Sequence, residues 1–352
     1  MGRKRDERIH FGIAVLLLVL VPRSGAAAGT TPALFEDDAP LEMVIRGEIR
    51  TILRDNKDER DYHSAVITYR DAEGSAVDVE VRIRTRGRFR RDPRNCNFAP
   101  LQLKFDRKKV KDTVFRGIKK VKLVTHCQSG KKIYQQYMLR EYLVYRLYNV
   151  LTPVSFRVRL AHITYADVSR GDRELKKYGF FIEPTDMMAS RNQAAPHDIV
   201  KEPRYTIDSR QSCFLSVFQF MIGNTDWSFI ADHNVERIAP ATGSTLGVPY
   251  DFDYAGIVDT HYALPIEQAK TLSTKDRYFQ GFCQPDEVFV EVFEKFNAKK
   301  KELFSVIESF PLVDKRYKRK TAKFLEEFFE IINNPNQVQR RIRATCVEKD
   351  AL

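Results

Sequence analysis

The sequence predicts an α+β protein: a β-rich first half carrying one long helix, then a mainly helical second half. Three observations predict it. Short β-branched and aromatic runs, some alternating apolar with polar residues, fill the stretch from residue 41 to about 183. One long segment, from about residue 132 to 150, breaks into them with helical spacing. From about residue 206 onward the apolar residues recur at helical intervals instead. The composition supports a packed core, since 43% of the 352 residues are hydrophobic and there are 24 Phe and 15 Tyr. That excludes a disordered or fibrous chain.

The elements can be justified in order. Arg3, Lys4, Arg5 and Arg8 precede an uncharged apolar run over residues 11–21, and Ala26-Ala27-Ala28 follows as a small-residue cleavage pattern. The run is about half of the ~20 residues that span a bilayer, so residues 1–28 read as a signal peptide. The leader holds five basic and two acidic residues, so the net charge of +12 falls to +9 without it. No later stretch is long and apolar enough to cross a membrane, which predicts a secreted or periplasmic protein. Residues 29–185 form the β-rich region. Residues 43–45, 65–69 and 77–83 are strand-like, with a turn at Asp71-Ala72-Glu73-Gly74. Leu101, Leu103 and Phe105 alternate with Gln102 and Lys104, and residues 121–124, 156–165 and 178–182 complete the strands.

Residues 186–352 form the helical region. Thr206 or Asp208 caps a helix that runs to Ile222 and stops at Gly223-Asn224. Val288, Phe289, Val292, Phe293 and Phe296 keep helical spacing through Leu303, Phe304 and Ile307. Phe324, Leu325, Phe328, Phe329 and Ile332 give another helix, closed by Asn333-Asn334-Pro335. The five cysteines show no metal-ligand spacing. In an oxidising compartment Cys96 and Cys127, which flank two strands, are the expected pair, and Cys213 reads as a buried helix residue. An odd count leaves at least one thiol free or bonded between chains.

Residues 224–256 hold the chemistry: Asp226, Asn234, Asp251 and Asp253. If residues 248–254 are extended, Asp251 and Asp253 share a face and repel unless a cation lies between them. Magnesium suits such a pair, being held by one or two carboxylates together with substrate phosphates, and Asn234 adds a neutral oxygen. Asp226, between a helix and a strand, can accept a proton from a hydroxyl nucleophile. In the long helix Glu141 shares a stripe with Tyr134, Met138, Tyr145 and Tyr148. A carboxylate there needs a cation, and the preceding strands offer Lys104 and Lys122.

A β-rich region with a Lys–Glu pair, then a helical one with Asp, Asn and Asp, follows the order of parts in a two-lobed protein-kinase-like fold. The chain lacks GxGxxG, HRDxxxxN and DFG, and Arg84-Thr85-Arg86-Gly87-Arg88-Phe89-Arg90 is its one candidate phosphate-covering turn. Over residues 79–256 it resembles the spore-coat-H (CotH-like) family of secreted atypical kinases. The resemblance rests on Arg84-Thr85-Arg86-Gly87, Leu139-Arg140-Glu141 and Tyr178-Gly179-Phe180-Phe181-Ile182-Glu183. It rests equally on Asn224-Thr225-Asp226-Trp227 with Asn234, and on Tyr250-Asp251-Phe252-Asp253. It is nearest to exported bacterial members of unassigned role, in which Cys96-Asn97-Phe98 and residues 122–127 have counterparts.

The resemblance implies ATP and Mg²⁺ binding and phosphoryl transfer to a protein hydroxyl. Asp226 would be catalytic, Asn234 with Asp251 or Asp253 would hold metal, and Glu141 would partner an ATP-directed lysine, Lys104 or Lys122. Arg86 and Glu183, in the matched blocks, fall on the cofactor side. A non-catalytic binding or envelope-assembly protein is the alternative. The basic runs, Lys108-Lys109, Lys299-Lys300-Lys301 and residues 315–323, suit an acidic protein or anionic envelope polymer. No motif points to specific nucleic-acid binding.

Overall fold

The structure is a computed structural model that describes residues 33–197, 208–229, 231–264, 273 and 275–348. The expected leader and Thr206 lie outside the described residues. Seven strands appear where alternation places them: β1 (Leu41–Gly47), β2 (His63–Arg70), β3 (Ala76–Thr85), β4 (Leu101–Lys104), β5 (Lys120–Val124), β6 (Val158–Asp167) and β7 (Arg173–Ile182). The long helix, α2, runs Lys132–Leu151, and a short α1 (Ile49–Arg54) precedes it.

The strands close into a barrel in the order β1-β2-β3-β4-β5-β7-β6. This corrects the expected two-lobed kinase-like architecture, because a closed barrel is not the β-rich lobe of such a fold. Closure comes from a parallel pairing of β1 with β6, in register from Leu41 opposite Ala161 to Gly47 opposite Asp167. Every other neighbouring pair is antiparallel. A barrel this small is filled by its own side chains. Ile45, Ile67, Ile83, Leu103, Leu123, Ile163 and Phe181 point inward and are fully buried. Gly179 is needed where β7 crosses β5: a Cβ there would come within 2.8 Å of the Val124 carbonyl oxygen.

Helix α2 is 20 residues long with no Gly or Pro inside, and it stops at Thr152-Pro153, where proline disfavours helix at the residue before it. It lies between barrel and helices, so nearly every residue from Tyr137 to Tyr148 is buried. The helices beyond are α3 (Thr185–Arg191), α4 (Ser209–Ile222), α5 (Asp286–Ala298), α6 (Lys300–Ser309), α7 (Lys315–Ile332) and α8 (Pro335–Arg341). Asp208 caps α4 by accepting from Gln211 N, and Gly223 ends it in the left-handed conformation. A small sheet missed by the sequence reading, β8 (Ala194–Pro196), β9 (Val235–Pro240) and β10 (Leu246–Pro249), sits beside α4. One core runs from Val158 and Phe180 of the barrel through α2 to Phe328 of α7, so it crosses the boundary expected at residue 185.

Two disulfides are present. Cys96–Cys127 forms as expected, with Cα atoms 4.7 Å apart. Cys283–Cys346 was not foreseen; it ties the C-terminal segment beside Gly281, whose carbonyl accepts from Val347 N. Cys213 is a buried free thiol in α4. Among the described residues no helix is long and apolar enough to cross a membrane.

Candidate functional site

The segment after β3 leaves the barrel as an arginine-rich strap and returns through Cys96, which the disulfide to Cys127 pins in place. Midway along it, Arg90 turns inward until its side chain is 11% exposed. Its guanidinium group meets three carboxylates: Glu141 of α2 at 3.2 Å, Asp251 at 2.9 Å and Asp253 at 3.5 Å. The cation that the sequence demanded between Asp251 and Asp253 is therefore an arginine. The expected Lys–Glu pair is corrected as well. Lys104 lies 5.4 Å from the Tyr62 ring centroid, Lys122 lies 4.9 Å from that of Tyr250, and Glu141 pairs with Arg90 instead.

Residues 248–254 are not one extended strand. β10 ends at Pro249, and Asp251 adopts a left-handed backbone with φ of 60°. That turn still carries both aspartates to Arg90 and drives Phe252 into the core against Tyr145 and Phe218. Tyr145 holds the turn from below, its hydroxyl accepting from Asp251 N at 2.9 Å.

One guanidinium group cannot neutralise three carboxylates of which two, Glu141 and Asp253, are buried, while Asp251 stays partly exposed. Burial, helped by the neighbouring Asp253 and Asp251, pushes the Glu141 carboxyl up to about 8, although Arg90 opposes the shift. Burial, with Asp251 and Asp226 nearby, pushes Asp253 up to about 7 against Arg90 and the Tyr262 hydroxyl. Burial works against the Arg90 charge too, yet Asp253, Glu141 and Asp251 outweigh it and hold the group well above its ordinary value. Two further cations stand close. Burial and the neighbouring Arg90 lower Arg86, which faces Asp251, and burial together with Arg86 lowers Lys122.

Asp226 follows α4. The interval of eight residues to Asn234 is folded back on itself, because Ser228 and His233 pair through reciprocal backbone hydrogen bonds. Asn234 Nδ2 consequently donates to the Asp226 carbonyl at 2.7 Å and to its carboxylate at 3.0 Å. His233 Nε2 lies 2.9 Å from the other carboxylate oxygen. The Asn234 carbonyl accepts from Tyr250 N, which links this hairpin to the Asp251 turn. Asp226 is thus oriented on both oxygens while its side chain stays about one-third exposed, at 36%.

The donor set accommodates a hard dication only in part. Among the described residues no group of three or more His, Cys, Asp or Glu is arranged to hold a metal ion. Arg90 engages Oδ1 of Asp251 and Oδ2 of Asp253, leaving one oxygen of each outside that contact. Two carboxylates with substrate phosphates meet the usual requirement of Mg²⁺. Glu183 is placed otherwise than expected. Arg191 of α3 binds both its oxygens, at 3.1 and 2.9 Å, and Arg157 N donates to it, so it clamps the end of β7 to α3.

Sequence reasoning missed the centrality of Arg90, which it saw as one arginine among several in a turn. It also gave no role to His233. The only signal for Arg90 was indirect: a buried carboxylate at residue 141 needed a cation, and the strap carried unassigned ones. Trp227 and His126 have packing roles. Trp227 stacks edge-on with Phe229, and burial pushes His126 down to about 3, which leaves it neutral. Comparison with family models and with curated proteins finds no match.

Proposed function

We propose that this cluster is the site of a phosphotransferase that uses ATP and Mg²⁺ to modify a protein hydroxyl in an extracytoplasmic compartment. The observation that carries the reading is the meeting, on one side of α2, of buried carboxylates with Arg86, Arg90 and Lys122. Strongly shifted acids beside fixed cations are the kind of group that functional sites assemble. Phosphoryl transfer needs positioning and charge neutralisation above all. Arg86 and Lys122 supply positive charge for nucleotide phosphates. Asp251 and Asp253 would hold Mg²⁺, which when bound neutralises charge on the phosphates. Asp226, held by Asn234 and His233, accepts the proton of the attacking hydroxyl. The two disulfides suit an oxidising compartment, which supports a secreted or periplasmic location.

The test separates binding from transfer. ATP with Mg²⁺ should raise the melting temperature of the protein, ligand at about 100 Kd adding about 2.7 kcal/mol of stability. Asp251→Asn should abolish the Mg²⁺-dependent part. Asp226→Asn should keep nucleotide binding and stop transfer to protein substrate. A second reading, a non-catalytic binding protein, is favoured by Arg90, which takes one oxygen of each metal-side aspartate. If neither ATP nor Mg²⁺ stabilises the wild-type protein, that second reading replaces the first.

A further inference from the structure

A concavity of about 710 Å³ lies on the barrel between α1, the turn joining β6 to β7, and the disulfide-bonded segment around Cys96. Its floor includes the apolar side chains of Leu53, Phe98 and Leu175. Four arginines stand in its walls. Arg50 and Arg54 lie one turn apart on α1, and Arg170 and Arg173 face them from the β6–β7 turn. All four are exposed, and among the described residues none has a side-chain hydrogen-bond or ion-pair partner. Some other exposed arginines of this chain are paired, as Arg46 with Asp172 and Arg210 with Glu291, while Arg88, Arg116, Arg316 and Arg319 are exposed singly. The groove differs in gathering four around one concavity. Two acids also line the groove, but Asp167 is buried and caps the turn through Ser169. Only Glu174 is left to offset four guanidinium groups.

We propose that this groove docks an acidic peptide segment of a partner protein. The segment seats an apolar side chain on Leu53, Phe98 and Leu175 and presents carboxylates to the arginines on both walls. Guanidinium groups bind carboxylates through paired hydrogen bonds, so unpartnered ones around an apolar floor select that combination. The volume is that of a side-chain or small-ligand pocket. A concave floor is poorly matched to a flat bilayer. A floor with two leucines offers little stacking surface to successive nucleobases, which argues against single-stranded nucleic acid. The acidic stretch near the start of this chain is already engaged, since Asp37 pairs with Arg159 and Asp38 with Arg146. That stretch is therefore not the occupant. This inference does not depend on the phosphotransferase reading.

The experiment uses the full chain and a fluorescein-labelled octapeptide, Asp-Asp-Glu-Leu-Phe-Glu-Asp-Asp, followed by fluorescence anisotropy. Saturable binding with a Kd of tens of micromolar is expected, weakening as salt rises to about 0.5 M. Arg54→Glu and Arg173→Glu should each weaken it about tenfold or more, with unchanged melting temperatures because both sites are exposed. A peptide with the acids replaced by their amides should lose binding, and so should one with Ser-Ser for Leu-Phe. The proposal is overturned if the octapeptide does not saturate below about 1 mM. It is also overturned if the two arginine variants bind as tightly as wild type. Tighter binding of single-stranded DNA or of phosphatidylglycerol vesicles through the same arginines would overturn it as well.

Discussion

Arg90 decides the stability of its surroundings because three carboxylates depend on one guanidinium group. Replacing it by Met should cost up to about 3–5 kcal/mol at pH values high enough to ionise Glu141 and Asp253, where buried charges would be left without their cation, and less where they are protonated. Adding Glu141→Gln to that variant should restore part of the loss, and urea titration of both proteins checks this. The same crowding sets a pH dependence. Glu141 is raised from 4.5 to about 8 and Asp253 from 3.8 to about 7 in the folded protein. The folded state therefore binds more protons than the unfolded one between these limits. Stability from these groups is complete below about pH 4 and declines as pH rises toward 8. Melting temperature should fall over that interval, less steeply in Glu141→Gln than in wild type. A flat profile for wild type would remove the case for crowded carboxylates.

At the scale of one element, α2 carries two tyrosines of opposite consequence three residues apart. Tyr145 accepts from Asp251 N and so fixes the turn that presents the metal-side aspartates. Tyr148 is fully buried and among the described residues its hydroxyl has no hydrogen-bond partner. Tyr145→Phe should cost about 1–2 kcal/mol by leaving a backbone N–H unpaired, while Tyr148→Phe should be neutral or slightly stabilising. Chemical denaturation of the two variants side by side checks the contrast. The strap is the other decisive element. Its disulfide closes a loop with a sequence separation of 31, and Cys283–Cys346 closes one of 63. Loop-closure entropy assigns roughly 4 kcal/mol to each. Cys96→Ser with Cys127→Ser should lower stability by about 2–4 kcal/mol and also weaken the Arg90 contacts, steepening the pH profile described above, because Arg90 opposes the upward shifts of Glu141 and Asp253. Cys283→Ser with Cys346→Ser should lower stability alone.

Across the whole molecule, α2 joins the barrel and the helices through one continuous core. The two halves read from the sequence should therefore unfold together. Calorimetry should show a single transition, and a fragment ending at residue 185 should bind hydrophobic dyes because it exposes the far face of α2. Two separate transitions would contradict this.

All seven barrel strands and the long helix were legible in the sequence, because period-two and helical spacing are local consequences of which face is buried. Cys96–Cys127 and the lone buried Cys213 were legible too, from the strands and the apolar run around them. That Glu141, and the pair Asp251 and Asp253, each need a cation followed from charge alone, but that all three meet at one group did not. The identity of that cation did not follow. Arg90 reaches the cluster only because a strap without periodic pattern folds across it. Barrel closure was hidden for a similar reason, since it depends on β1 meeting β6 more than a hundred residues away. Local alternation tells a strand which face to bury but not which partner to choose. The sequence by itself determined the elements and the need for charge compensation. Only the tertiary structure decided the partners, because long-range pairing depends on the geometry of the closed sheet and not on any neighbour in the chain.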